Sequence, residues 1–290
     1  HTQRRRQRQM CIRDRDEGSP LRVYSDRITK SLNDMDEEIE FEFAMRYGNP
    51  SIEYGLRNLQ AKGVDELLLL PMFPHYAQAT TKSALKHSYK QLKAMNWQPQ
   101  IIEMGHFETD EEYVVPLANS IESQLDKDAH LLFSYHGLPV SHVKRIDTSK
   151  NHCQQVNDCC SIKSDANALC YGHHCMKTTQ TVVGLLGLNN DQWSLSFQSR
   201  IGPVKWLEPS TMNKVEELVK RGVKKLAIVA PAFLADGLET LEELDIGIRE
   251  HFIELGGEEL TVIKCLNDNE DWVEGLSKLV SKKFESIAAA

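Results

Sequence analysis

Continuous apolar runs of strand length recur along the chain, each closed by turn residues and followed by a stretch with helical spacing. ELLLLPMF (Glu66 to Phe73) is one such run, and the opening of LLFSYHGLP (Leu131 to Pro139) is another. A strand that is apolar at every position buries both faces, as strands do in a parallel sheet with helices on either side. Strands of this kind alternating with helices are the signature of an α/β fold with doubly wound sheets. The pattern predicts strands over Ile39–Tyr47, Glu66–Phe73, Gln100–Met104, Leu131–Tyr135, Trp193–Gln198, Lys225–Val229 and Leu260–Lys264. It predicts helices over Pro20–Met35, Ser51–Lys62, Ser83–Met95, Glu111–Leu125, Cys175–Leu186, Met212–Arg221, Leu238–Leu255 and Asp271–Phe284. A chain of 290 residues suffices for about two domains. The alternation divides near Asp126-Lys127-Asp128 into an N-terminal α/β domain over 16–126 and a C-terminal one over 127–290. Val140 to His174 interrupts it with no convincing strand or long helix, and loops of that length inside a domain are usually functional or disordered.

The net charge of -8 conceals an asymmetry. Residues 1–15, HTQRRRQRQMCIRDR, carry six arginines against one aspartate, which leaves -13 on the remainder. An acidic body repels phosphate backbones, so nucleic acid is excluded as a partner. The Arg-rich segment has no apolar periodicity and reads as a non-native appendage foreign to the fold. No apolar run has the length of a membrane-spanning helix or the character of a signal peptide, so the expected location is the cytoplasm with at most peripheral membrane contact. No G-x-G-x-x-G or P-loop follows any predicted strand, which sets nucleotide binding aside.

Three stretches lie just past predicted strand ends, where open α/β sheets bind their ligands. HGLP places His136 there; FQSRIGPVKW (Phe197 to Trp206) follows a second strand; PAFLADGLETLEEL (Pro231 to Leu244) runs from a third into a helix bearing Glu239, Glu242 and Glu243. Parallel strands bring all three to one edge and set an imidazole opposite a row of carboxylates. A neutral imidazole, with an ordinary pKa of about 6.5, can take up a proton near neutrality and can ligate iron. Plainer readings stand beside these. His136 can be a core histidine bonded to a carbonyl, and Asp236-Gly237-Leu238-Glu239 can be a variant capping box with Asp at the N-cap and Glu at N3. Arg46, at a strand end in AMRYGNP, can form a surface salt bridge or offer its planar fork to a ligand carboxylate.

AMRYGNPSIE (Ala44 to Glu53) and LLLPMFPHYAQATT (Leu68 to Thr81) complete five blocks, in order, over most of residues 18–280. At these blocks the chain resembles the ferrochelatase family. The resemblance implies two Rossmann-like, chelatase-type domains with parallel sheets flanked by helices, the last helix packing back on the first domain. It implies a lyase that inserts ferrous iron into protoporphyrin IX to give protoheme, with Fe2+ and the porphyrin as substrates. His136 then serves as proton acceptor or iron ligand, and Glu239 as the facing carboxylate and iron ligand. Glu243, one helical turn further, can pass protons or hydrated iron. Arg46 and Tyr47 fall in the porphyrin pocket, with Gln198, Ser199 and Trp206 on the opposite wall, where an aromatic ring offers stacking area. Tyr76, with Thr80 and Thr81, falls in the other lip. Gly237 departs from relatives that carry histidine or cysteine there. Family members normally open with a strand and Gly-rich loop ahead of GSPL (Gly18 to Leu21), so the expectation is an amino-terminally truncated chain with an incomplete first domain and an uncovered sheet edge. The alternatives are a chelatase for another tetrapyrrole, coproporphyrin or a cobalt-accepting corrinoid precursor, and an inactive porphyrin-binding fragment.

Clustered cysteines in a cytosolic chain suggest metal more than disulfides. Cys153, Cys159, Cys160 and Cys170 lie in the 140–174 loop with Cys175 just beyond, whereas Cys11 and Cys265 stand apart. The spacing is not the paired C-x-x-C of common zinc sites, but four thiolates can hold a [2Fe–2S] cluster. Some ferrochelatases carry such a cluster, in places including an insertion in this region. Relatives without the insertion also show a cysteine at position 175, so the resemblance implies Cys153, Cys159, Cys160 and Cys170 as ligands. Zinc and reduced structural thiols are the alternatives.

Overall fold

The apolar runs form two parallel sheets. β1 (Glu66–Leu69) pairs with β2 (Gln100–Glu103). β3 (His130–His136), β4 (Trp193–Gln198), β5 (Lys225–Val229) and β6 (Glu259–Val262) form the larger sheet in the order β4-β3-β5-β6, every pair parallel. The computed structural model describes residues 18–288, so the Arg-rich segment lies outside the described residues.

β3 explains why its run carries apolar residues on both faces, since alternate residues enter different cores. Leu131, Phe133 and Tyr135 pack with α4 (Glu111–Gln124), α6 (Tyr171–Leu186) and α9 (Glu270–Ala288) through Tyr113, Ile121, Cys175, Val182, Trp272 and Leu276. Leu132 packs on the other face with Val215 and Leu218 of α7 (Thr211–Lys220), with Leu244 and Ile248, and with Phe252 of α8 (Arg249–Glu254). A third core joins α2 (Ile52–Ala61) and α3 (Ser83–Ala94) to β1 through Leu56, Leu59, Leu92 and Leu67. The last helix packs back on α4, where the backbone carbonyl of Glu112 leaves no room for a side chain at Gly275. Among the described residues no helix is long and apolar enough to cross a membrane.

The chain leaves the adjacent strands β3 and β5 toward opposite faces of the sheet. After β3 it reaches α6 on one face; after β5 it enters the segment Glu239–Ile248, whose Leu244 and Ile248 cover the other. Connections that diverge in this way open a crevice at the strands' carboxyl ends.

Several predicted elements differ. Ile39–Tyr47 joins no sheet among the described residues, Met45 making only an isolated bridge to Ser51: the Asn33 side chain accepts from the Phe41 N–H at 2.8 Å and donates to the Phe41 carbonyl at 3.0 Å, in place of a partner strand. The alternation there buries Ile39 and Phe41 against the core under α1 (Pro20–Met35). The strand at Glu66 ends at Leu69, just ahead of Pro71. The helix predicted over Leu238–Leu255 is wound with π-helical turns over Glu239–Ile248 before α8. The 140–174 loop contains α5 (Val140–Lys144) and a 3-10 turn at Asp165–Asn167, and α6 starts at Tyr171 instead of Cys175.

Candidate active site

His136 is the last residue of β3, in register with Gln198 of β4. The peptide that follows it is fixed at both ends. The Gly137 N–H donates to the Gln198 carbonyl at 2.8 Å, and the Tyr171 hydroxyl donates to the His136 carbonyl at 2.8 Å. A Cβ at Gly137 would lie 2.7 Å from that Gln198 oxygen, so this turn admits only glycine. The imidazole lies edge-on to Phe233, ring centres 6.1 Å apart. Burial pushes its pKa below the ordinary 6.5, while the charges of Glu239 and then Glu243 push it back up. His136 is therefore a neutral base at neutrality, with two carboxylates across the crevice close enough to act on it.

Both carboxylates come from the π-helical segment after β5. Glu243 accepts from the Ser199 N–H and from the Ser199 hydroxyl, each at 2.7 Å, which ties the segment to the end of β4. Ser199 holds φ +63, a left-handed conformation that is uncommon outside glycine and is kept here by that double bond. The capping box does not form. The buried Asp236 carboxylate accepts from the Thr240 hydroxyl at 2.9 Å and from the Asn267 amide at 2.7 Å, and it meets no backbone N–H of the helix start. Glu239 is thus free of the capping role. A side chain at Gly237 would lie 3.5 Å from the Glu239 carboxylate, so the glycine widens the space beside it.

The other expected pocket residues are placed as follows. The Arg46 guanidinium lies 4.4 Å over the Tyr47 ring and its Nε donates to Ser83 at 3.2 Å; Tyr47 is 78% exposed. The backbone N–H of Tyr76 donates to His174 Nδ1 at 3.2 Å, and Thr80 and Thr81 lie in a π-helical turn, Gln78–Lys82. Gln198 does not reach the crevice: its side chain is buried and accepts from the Ser134 hydroxyl at 2.7 Å, because it shares the inward-turned face on which Ser134 and Thr211 meet. Trp206 sits where 205–207 pairs back on 138–140, through Val140 N–H to Lys205 O and Leu207 N–H to Leu138 O. Its indole packs close to the Gly137 backbone.

The loop's cysteines converge. Cys153, Cys159, Cys160 and Cys170 line one cavity of about 280 Å³ together with Gly172, Phe197, Lys205 and Trp206. Two buried polar residues shape it. Asp147 accepts from the N–H groups of Ser149, Lys150, His152 and Cys153, and Asn167 donates to the carbonyls of Cys159 and Ile162. Cys170 is the N-cap of α6. The Cys160 thiol, and then the N–H groups of His173 and Gly172, stabilise its thiolate and bring its pKa down against the effect of burial, while the bond to Cys170 pushes Cys160 up. Burial and the neighbouring sulfurs of Cys170 and Cys159 push Cys153 up to about 11. The buried Nε1 of Trp206 has no hydrogen-bond partner among the described residues. Four sulfurs around a cavity with a spare N–H donor fit an inserted group of cationic metal and anionic sulfide. All six described cysteines are free thiols.

A second cluster has no counterpart among the sequence motifs: among the described residues, His106, Glu108 and His174 are the group whose ligand atoms all lie within 4.8 Å of one another. His106 Nδ1 meets Glu108 at 2.6 Å. His174 accepts from Tyr76 N–H at Nδ1, so its Nε2 carries the proton and donates to the Ala168 carbonyl at 2.8 Å. With both nitrogens engaged it has no lone pair for a cation, and the group is a structural junction.

A family model described as Ferrochelatase matches residues 2–284. The Ferrochelatase of Stutzerimonas stutzeri (strain A1501) is 40% identical over 273 residues, which cover 93% of this chain and 80% of that protein. The Ferrochelatase of Bdellovibrio bacteriovorus is 39% identical over 267 residues, covering 91% and 78%. Among solved structures, SirB from Bacillus subtilis with Fe3+ matches at a TM-score of 0.58 with 12% identity over 92% of each chain, a likeness of fold.

Proposed function

The chain belongs to the ferrochelatase family, lyases that insert ferrous iron into the porphyrin ring in heme biosynthesis, and from that premise we propose how its residues divide the work. His136 accepts the pyrrole protons as the ring is metallated. Glu239 ligates the incoming iron from the opposite wall. Glu243, held by Ser199, receives protons or hydrated iron behind it. Arg46 binds a propionate of protoporphyrin IX, with Tyr47, Tyr76, Ser199 and Trp206 around the macrocycle and Gln198 beneath it as support. The observation that carries this reading is the adjacency of β3 and β5, which brings His136 and the Glu239–Ile248 segment to one edge of the sheet, where burial lowers the imidazole's basicity and both carboxylates raise it.

His136→Ala should lower insertion by about 10²- to 10⁴-fold, the usual worth of a positioned base, while quenching of porphyrin fluorescence on binding persists. Glu239→Gln should also lose most turnover. The assay is anaerobic: ferrous iron with protoporphyrin IX, coproporphyrin or a corrinoid precursor with cobalt, followed by the Soret shift. Near-normal turnover by His136→Ala refutes the assignment, and faster metallation of one of the other rings moves the substrate to it.

The same reading assigns a [2Fe–2S] cluster to Cys153, Cys159, Cys160 and Cys170. One tetrahedral zinc, at about 2.3 Å from each sulfur, needs all four sulfurs mutually close, and they do not form such a group among the described residues. A two-iron centre shares four thiolates between two metals. Bound there, it supplies a cross-link between distant parts of the loop and a one-electron redox centre. Anaerobically purified protein should show visible iron–sulfur bands and about two irons per chain, as this cluster type requires; colourless, iron-free protein refutes the cluster. Six free thiols suit a cytoplasmic location. Peripheral membrane contact falls on Ile201 and Val204, exposed in the loop after β4. The two sheets are read as the cores of two α/β domains meeting near Asp126.

A further inference from the structure

The peptide between His136 and Gly137 anchors the backbone that carries the imidazole, and both of its polar groups are held. Its N–H is fixed by the sheet, through Gln198. Its C=O is fixed by Tyr171, from a different part of the chain, at 2.8 Å. Tyr171 is itself buried, at 6% exposure, and opens α6 directly after Cys170, the N-cap residue whose sulfur faces the cysteine-lined cavity. Trp206 lines that same cavity, and its ring would lie 3.5 Å from a Cβ at Gly137. Trp206 thus lies beside both the cavity and the catalytic turn, and Tyr171, next in the chain to the cavity-lining Cys170 and Gly172, makes a directed bond to the turn.

We propose that Tyr171 is a positioning residue for His136, and that through it the packing of the cysteine-lined cavity sets the reach of the catalytic imidazole. This rests on the reading of His136 as the proton acceptor. With the hydroxyl removed, the carbonyl keeps only what solvent can offer it, and the imidazole samples orientations in which its lone pair misses the ring. Porphyrin binding, which draws on Arg46 and the pocket walls, is not affected. Disturbing the cavity has the same effect by shifting the start of α6.

The test uses the full chain with Tyr171→Phe, Cys170→Ser and the double variant. Each is assayed for kcat, KM for the porphyrin, binding by fluorescence quenching, thermal midpoint and visible absorbance. Tyr171→Phe should lower kcat about tenfold, in line with the cost of a small misplacement of a reacting group, with KM and binding within about twofold and absorbance unchanged. Cys170→Ser should lower kcat with binding retained, and the double variant should be no worse than the poorer single one, since both act along one connection. A Tyr171→Phe enzyme with normal kcat overturns the proposal, as does full additivity in the double variant. Should Tyr171→Phe fail to fold, Cys170→Ser with normal kcat overturns it alone. His136→Ala that keeps its turnover sinks the underlying reading instead, so the two failures are distinct.

Discussion

At His136 burial and charge act against each other on one imidazole, and burial wins. The sign follows directly. A base with a lowered pKa stays neutral to lower pH, so the acidic limb of the insertion profile should lie below the ordinary 6.5. Glu243→Gln removes a charge that raises the pKa, so the His136 imidazole should then titrate at still lower pH. NMR titration of that ring reads this without relying on turnover. A midpoint that rises, or stays in place, would show that the Glu243 carboxylate does not face it. His136 and Glu239 were legible as candidates because each sits in a compact motif at a strand end. Tyr171 and His174 were not, since Tyr171 bonds the His136 carbonyl 35 residues away and His174 the Tyr76 N–H 98 residues away, groups brought near only by folding.

At the scale of elements, what could be read depended on whether a single periodicity explained the segment. Leu131–Tyr135 could be read because both of its faces meet cores, so that Ser134 is its one polar position. Ile39–Tyr47 misled because alternation reports one buried face, and that face is satisfied by packing alone, with an asparagine side chain taking the place of a neighbouring strand. The segment after β5 kept its helical character but not its winding. Asp236 turns to Thr240 and Asn267, and the π-helical turns that follow carry Glu239 and Glu243 at a site where such winding is often functional. The cysteine loop was read as structureless for want of periodicity. Its order comes from Asp147 and Asn167, whose bonds to successive backbone groups form turns that Asp, Asn and Ser around Asp147-Thr148-Ser149 and Ser164-Asp165-Ala166-Asn167 could have signalled.

Across the whole molecule, the segment after β1 is joined to the larger sheet through His75, and this junction predicts how the protein fails in acid. His75 is 2% exposed, donates from Nε2 to Thr178 of α6 at 2.8 Å, and lies edge-on to Tyr113, Tyr135 and Tyr171. The Thr178 hydroxyl passes its own proton to the Glu108 carbonyl, which fixes the His75 tautomer and leaves Nδ1 bare. Burial brings its pKa down from 6.5 to about 3. In that interval the unfolded chain binds a proton that the folded one refuses, so stability is fully present above 6.5 and is lost as pH falls toward 3. Each pH unit there costs about 1.4 kcal/mol for this one group. Glu108 adds to the loss lower down: burial opposes its ionisation, but its bond to His106 and the charges of His174 and His106 hold it at about 2 against an ordinary 4.5. Urea midpoints should therefore fall steadily from pH 7 to pH 4.5. His75→Asn should be less stable at pH 7 yet show a shallower fall, its slope reduced by close to one proton in the 6.5-to-4.5 window. A parallel slope in that variant would mean that the proton uptake on unfolding belongs elsewhere, and that the junction between the two sheets is not where acid opens the molecule.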